Sequence, residues 1–351
     1  MSHGWRFTAV FFASVGLTVI VVLRAGQTAR ADDPNQETTL PAAAVAPASP
    51  ETAASPEKYK LIFKFRQNQI VHQEISHEFQ LTTSKNQDSE TVHNSSKSKR
   101  HYRVAAVDDK TGIADLEMII DWVHMLASFD KNDGSTTDPI EFQSDDPSKQ
   151  PKKFDHILAS IGKRAWLCFS PTGAPVKGPP AQTQAGKTAA GAPSPSKAAT
   201  SNVTDGTLEA YLFPLPEHAV GIGETWKEPF DVRVKDDEQN LVKIRLQRTY
   251  KLAQVKNGRA VIECRTFILT PIQNPAVAAQ FIERESSGKI EFDIEQGMII
   301  SREWSVDKTI INAVGANSSM RAKSRYREKL LGSEATPDRR GRIVPTSTNK
   351  K

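Results

Sequence analysis

The stretch YRVAAVDDKTGIADL, from Tyr102 to Leu116, decides the fold class, because it has the pattern of a strand, a turn and a second strand. Apolar residues alternate with polar ones on both sides of a turn that ends at Gly112. The same order returns as YKLAQVKNGRAVI, from Tyr250 to Ile262, with a turn two residues shorter. Two hairpins of one design predict a body built from two related halves.

The acids in the first turn have no counterpart in the second. Asp108 and Asp109 stand where the second copy has Lys256 and Asn257. Asp, Asn and Gly are the residues that tight turns favour. The repeated feature is therefore the backbone frame, and we interpret the two aspartates as turn residues.

Outside the hairpins, alternation of apolar and polar residues predicts further strands from Tyr59 to Leu331. The fold class is therefore all-β or β-dominated, with long antiparallel strands in two related halves that form curved sheets or incomplete barrels. The segment that follows Leu116 also fits a helical stripe, but its counterpart after Ala260 alternates, which favours a strand. Thr83 to Arg100 is polar and predicts a mobile loop or strands with little burial.

One short helix is predicted at residues 154–161, where Phe154, Ile157, Leu158 and Ile161 have helical spacing before Gly162. Composition divides the rest of the 351 residues. We expect a signal peptide (1–31), a disordered Ala/Pro-rich spacer (32–58), a first β-rich half (59–176), a low-complexity linker (177–206), a second β-rich half (207–331) and a basic disordered tail (332–351).

The N-terminus predicts an extracytoplasmic location, periplasmic or secreted. Arg6 precedes an apolar run from Phe7 to Leu23, and Ala29 and Ala31 supply the small residues that signal peptidase recognises. We expect cleavage after Ala31. The run is at the lower limit for spanning a bilayer, so a retained anchor is the alternative, and it would be the protein's contact with the membrane.

The net charge of +5 does not indicate a nucleic-acid partner, because lysines and arginines are spread along the chain among acids. The local excess of lysine and arginine lies in the basic tail (332–351).

The two cysteines, Cys168 and Cys264, lie one in each predicted half. An oxidising compartment permits a disulfide between them, whereas the simpler interpretation is two buried thiols on strands.

Three motifs occur in an order that resembles a known family. They are the Tyr102–Leu116 hairpin, the Ser170-Pro171-Thr172-Gly173 turn and the Gly221-Ile222-Gly223-Glu224-Thr225-Trp226 segment. The chain resembles secreted bacterial proteins, common in planctomycetes, that are known only as a domain of unknown function. The resemblance covers about Tyr59 to Leu331 and implies a β-rich extracytoplasmic body, without catalytic residues. The linker at 177–206 departs from the family pattern.

Local sequence motifs of hydrolases and phosphate-binding enzymes are absent, and no cofactor or metal site is predicted. The histidines are scattered, and His72 and His77 point to opposite faces of one strand. A hydrolase whose groups converge only in the fold is the alternative to a non-catalytic protein. Its candidate groups are Asp121, His124, Glu263 and Asp293.

The aromatic residues suggest what a non-catalytic protein would bind. Two β-halves curved around a common space would line an apolar cavity with Phe63, Phe79, Trp122, Phe267 and Phe292. We therefore predict a non-catalytic envelope protein that binds a hydrophobic ligand or an envelope component. A third hypothesis is an adhesion or scaffold module that associates through exposed strand edges.

The signal sequence gives the first testable prediction. Intact-mass spectrometry of the protein recovered from the extracytoplasmic fraction of an expressing bacterium should give a chain that begins at Asp32. A membrane-bound protein whose mass still includes Met1 to Ala31 would instead establish the retained anchor.

Overall fold

An open antiparallel sheet of eleven strands organises the chain in the computed structural model. The structure describes residues 57–131, 135–176, 212–235 and 240–335, and two paired short strands, β1 (Ala9–Val10) and β2 (Ile20–Val21). The remainder of the predicted signal peptide, the linker at 177–206 and most of the spacer and tail lie outside the described residues. Within the described part, every helix is too short or too polar to cross a bilayer.

The strands of the large sheet are long, and most are joined by short turns. They are β4 (Gln69–Lys85), β5 (Asp88–Val107), β6 (Ala114–Lys131), β7 (Ile140–Gln143), β8 (Arg164–Phe169), β10 (Thr225–Lys235), β11 (Leu241–Lys256), β12 (Arg259–Ile268), β13 (Ser287–Asp293), β14 (Met298–Ile311) and β15 (Ser318–Ala335). A separate pair joins β3 (Lys58–Tyr59) to β9 (Val220–Gly221). The predicted all-β class is therefore confirmed.

Helical structure is limited to short pieces. Two 3₁₀ turns, Pro147–Lys149 and Lys152–Phe154, lead into α1 (Asp155–Leu158), where the sequence predicted a short helix. A second helix, α2 (Pro275–Ala279), was not predicted from the sequence. The side chain of Asn274 caps α2 by accepting a hydrogen bond from the amide of Ala276 at 2.8 Å.

Both predicted hairpins form, and they share an irregularity that alternation alone does not indicate. In the first, Val104 lies opposite Leu116 and Ala106 lies opposite Asp115, so Ala105 is an extra, bulged residue. In the second, the extra residue is Ala253. A bulge increases the local twist of a hairpin, so the bulges bend β5 and β11 at corresponding points.

The turn residues behave as predicted. Asp108 Oδ1 accepts hydrogen bonds from the amides of Lys110 (3.0 Å) and Thr111 (2.8 Å). In the second hairpin, Asn257 and Gly258 have φ values of 50° and 73°. Both values lie in the left-handed region that a two-residue I′ turn requires.

Of the two alternatives for Thr83 to Arg100, the loop is wrong, because the segment belongs to two strands of the sheet. Apart from Asn94 and Arg100, its residues are half-buried or exposed, as the strand alternative predicted. β4 continues to Lys85, the chain turns at Asn86, and β5 begins at Asp88. Each of these strands has a partner on both sides, so the sheet satisfies their backbone groups despite the polar side chains.

The strand order is β10-β11-β12-β13-β14-β15-β4-β5-β6-β7, and β8 also pairs with β6. The two predicted halves therefore share one sheet, joined where β15 pairs with β4. This seam extends from Ser318 opposite Lys85 to Ala335 opposite Gln69, beyond the predicted start of the tail. Among the described strands, β10 pairs only with β11, so the sheet does not close into a barrel.

The sheet is strongly curved, because one apolar cluster unites strands that are far apart in the strand order. Extended segments on either side of β3 and β9 fill the space between the two ends of the sheet. The side of the sheet that faces this cluster is called the inner face below. Its buried residues include Val104, Leu116 and Leu167 from one end, Leu252, Ile262 and Phe292 from the other, and Leu61, Phe63, Leu212, Phe213 and Leu215 from the filling segments.

Three smaller clusters cover other parts of the inner face. The segment around α2 packs Val277 and Phe281 against β11 and packs Ile282 near Phe79 of β4. The segment from β7 to α1 packs Phe142 and Phe154 against β6. The inner face is therefore covered at its ends by separate pieces of chain rather than by a second sheet.

A buried ionic network crosses the β15–β4 seam. Glu328 Oε2 accepts hydrogen bonds from Arg100 Nη2 at 2.9 Å and from Arg302 Nη2 at 2.6 Å. Gln73 donates to Glu328 Oε1 at 3.0 Å and accepts from Arg100 Nε at 2.9 Å. At most 4% of each of these three charged residues is exposed, so the charges interact in a region of low dielectric.

Burial alone would raise the pKa of Glu328, but the guanidinium groups of Arg302 and Arg100 hold it below its usual range. Because the folded pKa is lower than the unfolded one, this carboxylate stabilises the fold above about pH 4.3. The stabilisation is lost as the pH falls through the folded pKa.

The network gives a prediction on stability. Glu328→Gln leaves two buried guanidinium groups without their carboxylate and should lower the free energy of unfolding by about 3–5 kcal/mol at pH 7. The matched control is Glu303→Gln, which removes an exposed partner of Arg325 and should cost under about 1 kcal/mol. Urea denaturation measures both values. Equal effects of the two substitutions would show that the network does not stabilise the seam.

Candidate ligand-binding site

A strip across the middle of the inner face is only half-buried, although both ends of the same strands are packed. Trp304, Tyr326, His77 and Ser96 lie directly opposite one another on β14, β15, β4 and β5. We call these residues, together with Ser98 and Ser324, the central strip. All six are intermediate in exposure. None of the clusters described above covers them completely.

Three of the six side chains in the strip are small. Ser96, Ser98 and Ser324 occupy inner-face positions where the ends of the sheet have Leu, Ile or Phe. Gly288 is opposite Trp304, and a Cβ atom there would lie 2.3 Å from the indole ring. The glycine thus allows the indole to lie flat against β13.

The strip is polar at its centre. His77 Nε2 and the Ser324 hydroxyl are 2.8 Å apart. Burial lowers the pKa of His77, which favours the neutral imidazole. The Tyr326 hydroxyl donates to Glu328 Oε2 at 2.9 Å, so the strip continues into the ionic network.

Apolar side chains border the strip. Ile75 is 8% exposed, Val123 8%, Met125 9% and Val306 8%, which makes them among the more accessible residues of the core. Polar groups at the centre and apolar side chains at the border give the strip the amphipathic character of a small-molecule site.

A buried polar side chain lies at the margin of the strip. Asn94 belongs to the inner face of β5, two positions before Ser96, and is 9% exposed. Neither its Oδ1 nor its Nδ2 has a hydrogen-bond partner among the described residues. Such a group costs stability, and functional sites are one place where proteins retain it.

The sequence-predicted cavity residues do not line one space. Phe63 and Phe292 meet in the main core with ring centroids 5.4 Å apart. Phe79 belongs to the separate cluster near α2. Trp122 lies on the outer face, where its indole donates a hydrogen bond to Asp145 at 2.8 Å, and Phe267 is 40% exposed.

The two cysteines are free thiols, and no disulfide joins them. Cys264 is buried in the main core. Burial raises the pKa of each thiol to about 12. Both are therefore protonated and act as small apolar residues on strands.

The four candidate hydrolase groups are dispersed. Asp121 bonds to His101, and His124 bonds to Glu141 at 3.0 Å. Asp293 accepts from the amide of Gln296 at 2.7 Å. Glu263 lies opposite Lys251 and Lys289.

Sequence reasoning missed the strip because two of its serines, Ser96 and Ser98, lie in the polar stretch from Thr83 to Arg100, which shows no alternation. It also missed a grouping on the outer face, where ligating atoms of His72, His101 and Asp121 lie within 4.8 Å of one another. Only the strand register brings these three residues together.

The outer face also has an open depression of about 360 Å³, lined largely by polar residues such as Glu78, His93 and Arg325.

No family model matches the chain, and no curated protein matches it. Among solved structures, it is similar to one described as "Lipid-protein interactions in lipovitellin", with 12% identity, a TM-score of 0.41 and coverage of 78% of this chain. The chain spans about a quarter (26%) of that protein. A second is a β-barrel-like protein of the domain of unknown function DUF1849 from Brucella abortus, with 8% identity, a TM-score of 0.16 and coverage of 77% of this chain and 99% of that one.

A buried carboxyl after α2 gives a prediction on pH. Oε1 of Glu283 has no partner among the described residues, and burial raises the pKa of this group to about 7. Because the folded pKa exceeds the unfolded one, the fold loses stability as the pH rises from about 4.3 to about 7. Glu283→Gln should therefore stabilise the protein at pH 8 and leave its stability nearly unchanged at pH 4.

The control for this prediction is Glu285→Gln, two residues away, which removes the partner of Lys308 and should not stabilise the protein at either pH. Thermal unfolding at the two pH values distinguishes the variants. A Glu283→Gln variant that is no more stable than wild type at pH 8 contradicts the assignment.

Proposed function

We propose that this protein is a non-catalytic extracytoplasmic envelope protein that binds an amphipathic, lipid-like ligand along the central strip. The observation that supports this function is the half-buried strip itself. It lies in the middle of a concave inner face whose ends are tightly packed. A core that served only as scaffold would fill this position with large apolar side chains.

The lining suggests how the ligand would lie. Its apolar part would contact Ile75, Val123 and Met125 and lose water from both surfaces, which contributes about 25 cal/mol per Å² of apolar area. Its polar end would meet Tyr326 and His77. In the adjoining network, two guanidinium groups accompany one carboxylate among the described residues, which favours a neutral or negatively charged head group.

The extracytoplasmic location rests on the N-terminal signal pattern. The non-catalytic assignment is supported by the dispersal of the four candidate hydrolase groups and by the hydrogen bonds of the strip. Its one histidine, His77, is hydrogen-bonded to the hydroxyl of Ser324 rather than to a carboxylate. That arrangement lacks the third group that orients the base in a catalytic triad.

The experiment is a titration of the purified, delipidated mature protein with cis-parinaric acid, a fatty acid whose fluorescence increases in apolar surroundings. Wild-type protein should bind it saturably. Ser96→Leu places a larger side chain in the central strip and should weaken binding by roughly tenfold or more.

The matched control is Ser95→Leu, at the adjacent position on the outer face of the same strand, which should bind as wild type does. Far-ultraviolet circular dichroism verifies that both variants keep the β-sheet. Saturable binding that Ser96→Leu leaves unchanged, or no saturable binding by wild type, would contradict the proposal.

A further inference from the structure

The outer face of the sheet places two histidines side by side. His72 of β4 lies directly opposite His101 of β5, and their ring centroids are 5.4 Å apart. Both side chains project outward, since the adjacent residues Gln73 and Arg100 are buried on the inner face. The pair is therefore accessible from solvent and separate from the central strip.

A β-bulge brings a carboxylate to the pair. On β6, Trp122 lies opposite Lys99 and Ile120 lies opposite Arg100, so Asp121 is an extra residue in the ladder. The bulge aims Asp121 at the histidines, and its oxygens lie 2.8 and 2.9 Å from His101 Nδ1. Bulges that redirect one side chain are frequent next to functional sites.

The three side chains form a ligand set for a transition metal. Two imidazole nitrogens and one carboxylate oxygen are a donor set that Zn²⁺ commonly takes at sites with an open position. Tetrahedral bonds of about 2.1 Å require ligand atoms about 3.4 Å apart. The three atoms already lie within 4.8 Å of one another, so small side-chain rotations complete the site.

Two other histidines on this face each pair with one acid, unlike the grouping of His72, His101 and Asp121. His93 pairs with Asp130 at 2.9 Å, and His124 pairs with Glu141 at 3.0 Å. Each of these is a cross-strand pair of one histidine and one acid. Among the described residues, only the grouping around His101 has a second histidine as a third ligand.

We propose that His72, His101 and Asp121 bind one divalent transition-metal ion, with Zn²⁺ the best match to the donor set. Binding replaces the hydrogen bond between His101 and Asp121, and water fills the open side, where the Asp121 side chain is 38% exposed. The ion would link β4, β5 and β6. The site is independent of ligand binding on the inner face.

The test is isothermal titration of the untagged, metal-free mature protein with zinc chloride. We expect one equivalent to bind with micromolar or tighter affinity and to raise the melting temperature. His72→Ala should weaken this binding by roughly tenfold or more, because it removes one of three ligands. His93→Ala, which alters a two-residue pair on the same face, should leave it unchanged.

A second readout reports the ligands directly. Co²⁺ in the same site should give the intense visible absorption bands of a four-coordinate ion, and His72→Ala should remove them. Failure of wild type to bind one equivalent overturns the proposal. Equal weakening by His72→Ala and His93→Ala also overturns it, because it would indicate nonspecific binding to surface histidines.

Discussion

The fold depends on the buried interaction of Glu328 with Arg100 and Arg302 at the junction of β15 and β4. These two strands come from opposite ends of the chain, and their pairing makes one sheet from two meanders. The network also holds β14 and β5, the next strand on each side. Separating the halves would expose charges whose partners lie across the seam, so the network favours this strand pairing over others.

The curvature of the sheet follows from the seam and the bulges together. A sheet of eleven strands that twists in one sense and is bent at Ala105 and Ala253 brings its two ends face to face. Segments around Phe63 and Phe213 then fill the space between the ends, whereas small residues such as Ser96 leave the middle half-buried. The half-buried strip is thus a consequence of where large and small side chains occur along the strands.

The sequence predicted the hairpins and the β class correctly because alternation is a local signal with a period of two. It could not choose between a loop and little-buried strands at Thr83 to Arg100, where both faces of the strands carry polar or small residues, so no alternation of hydrophobicity exists. Pairings such as His72 with His101, or Glu328 with Arg302, depend on register between distant segments. The burial of Arg100 could not be predicted from the sequence either, because arginine is ordinarily exposed.

Through the β15–β4 seam, both halves should unfold as one cooperative sheet. Hydrogen–deuterium exchange of the full-length mature protein, followed by mass spectrometry of peptides from β4 and β15, tests it most directly. We expect the amides of both strands to be the slowest to exchange and to become labelled together in one global unfolding event. Exchange of β4 in a separate, faster event while β15 stays protected would contradict it.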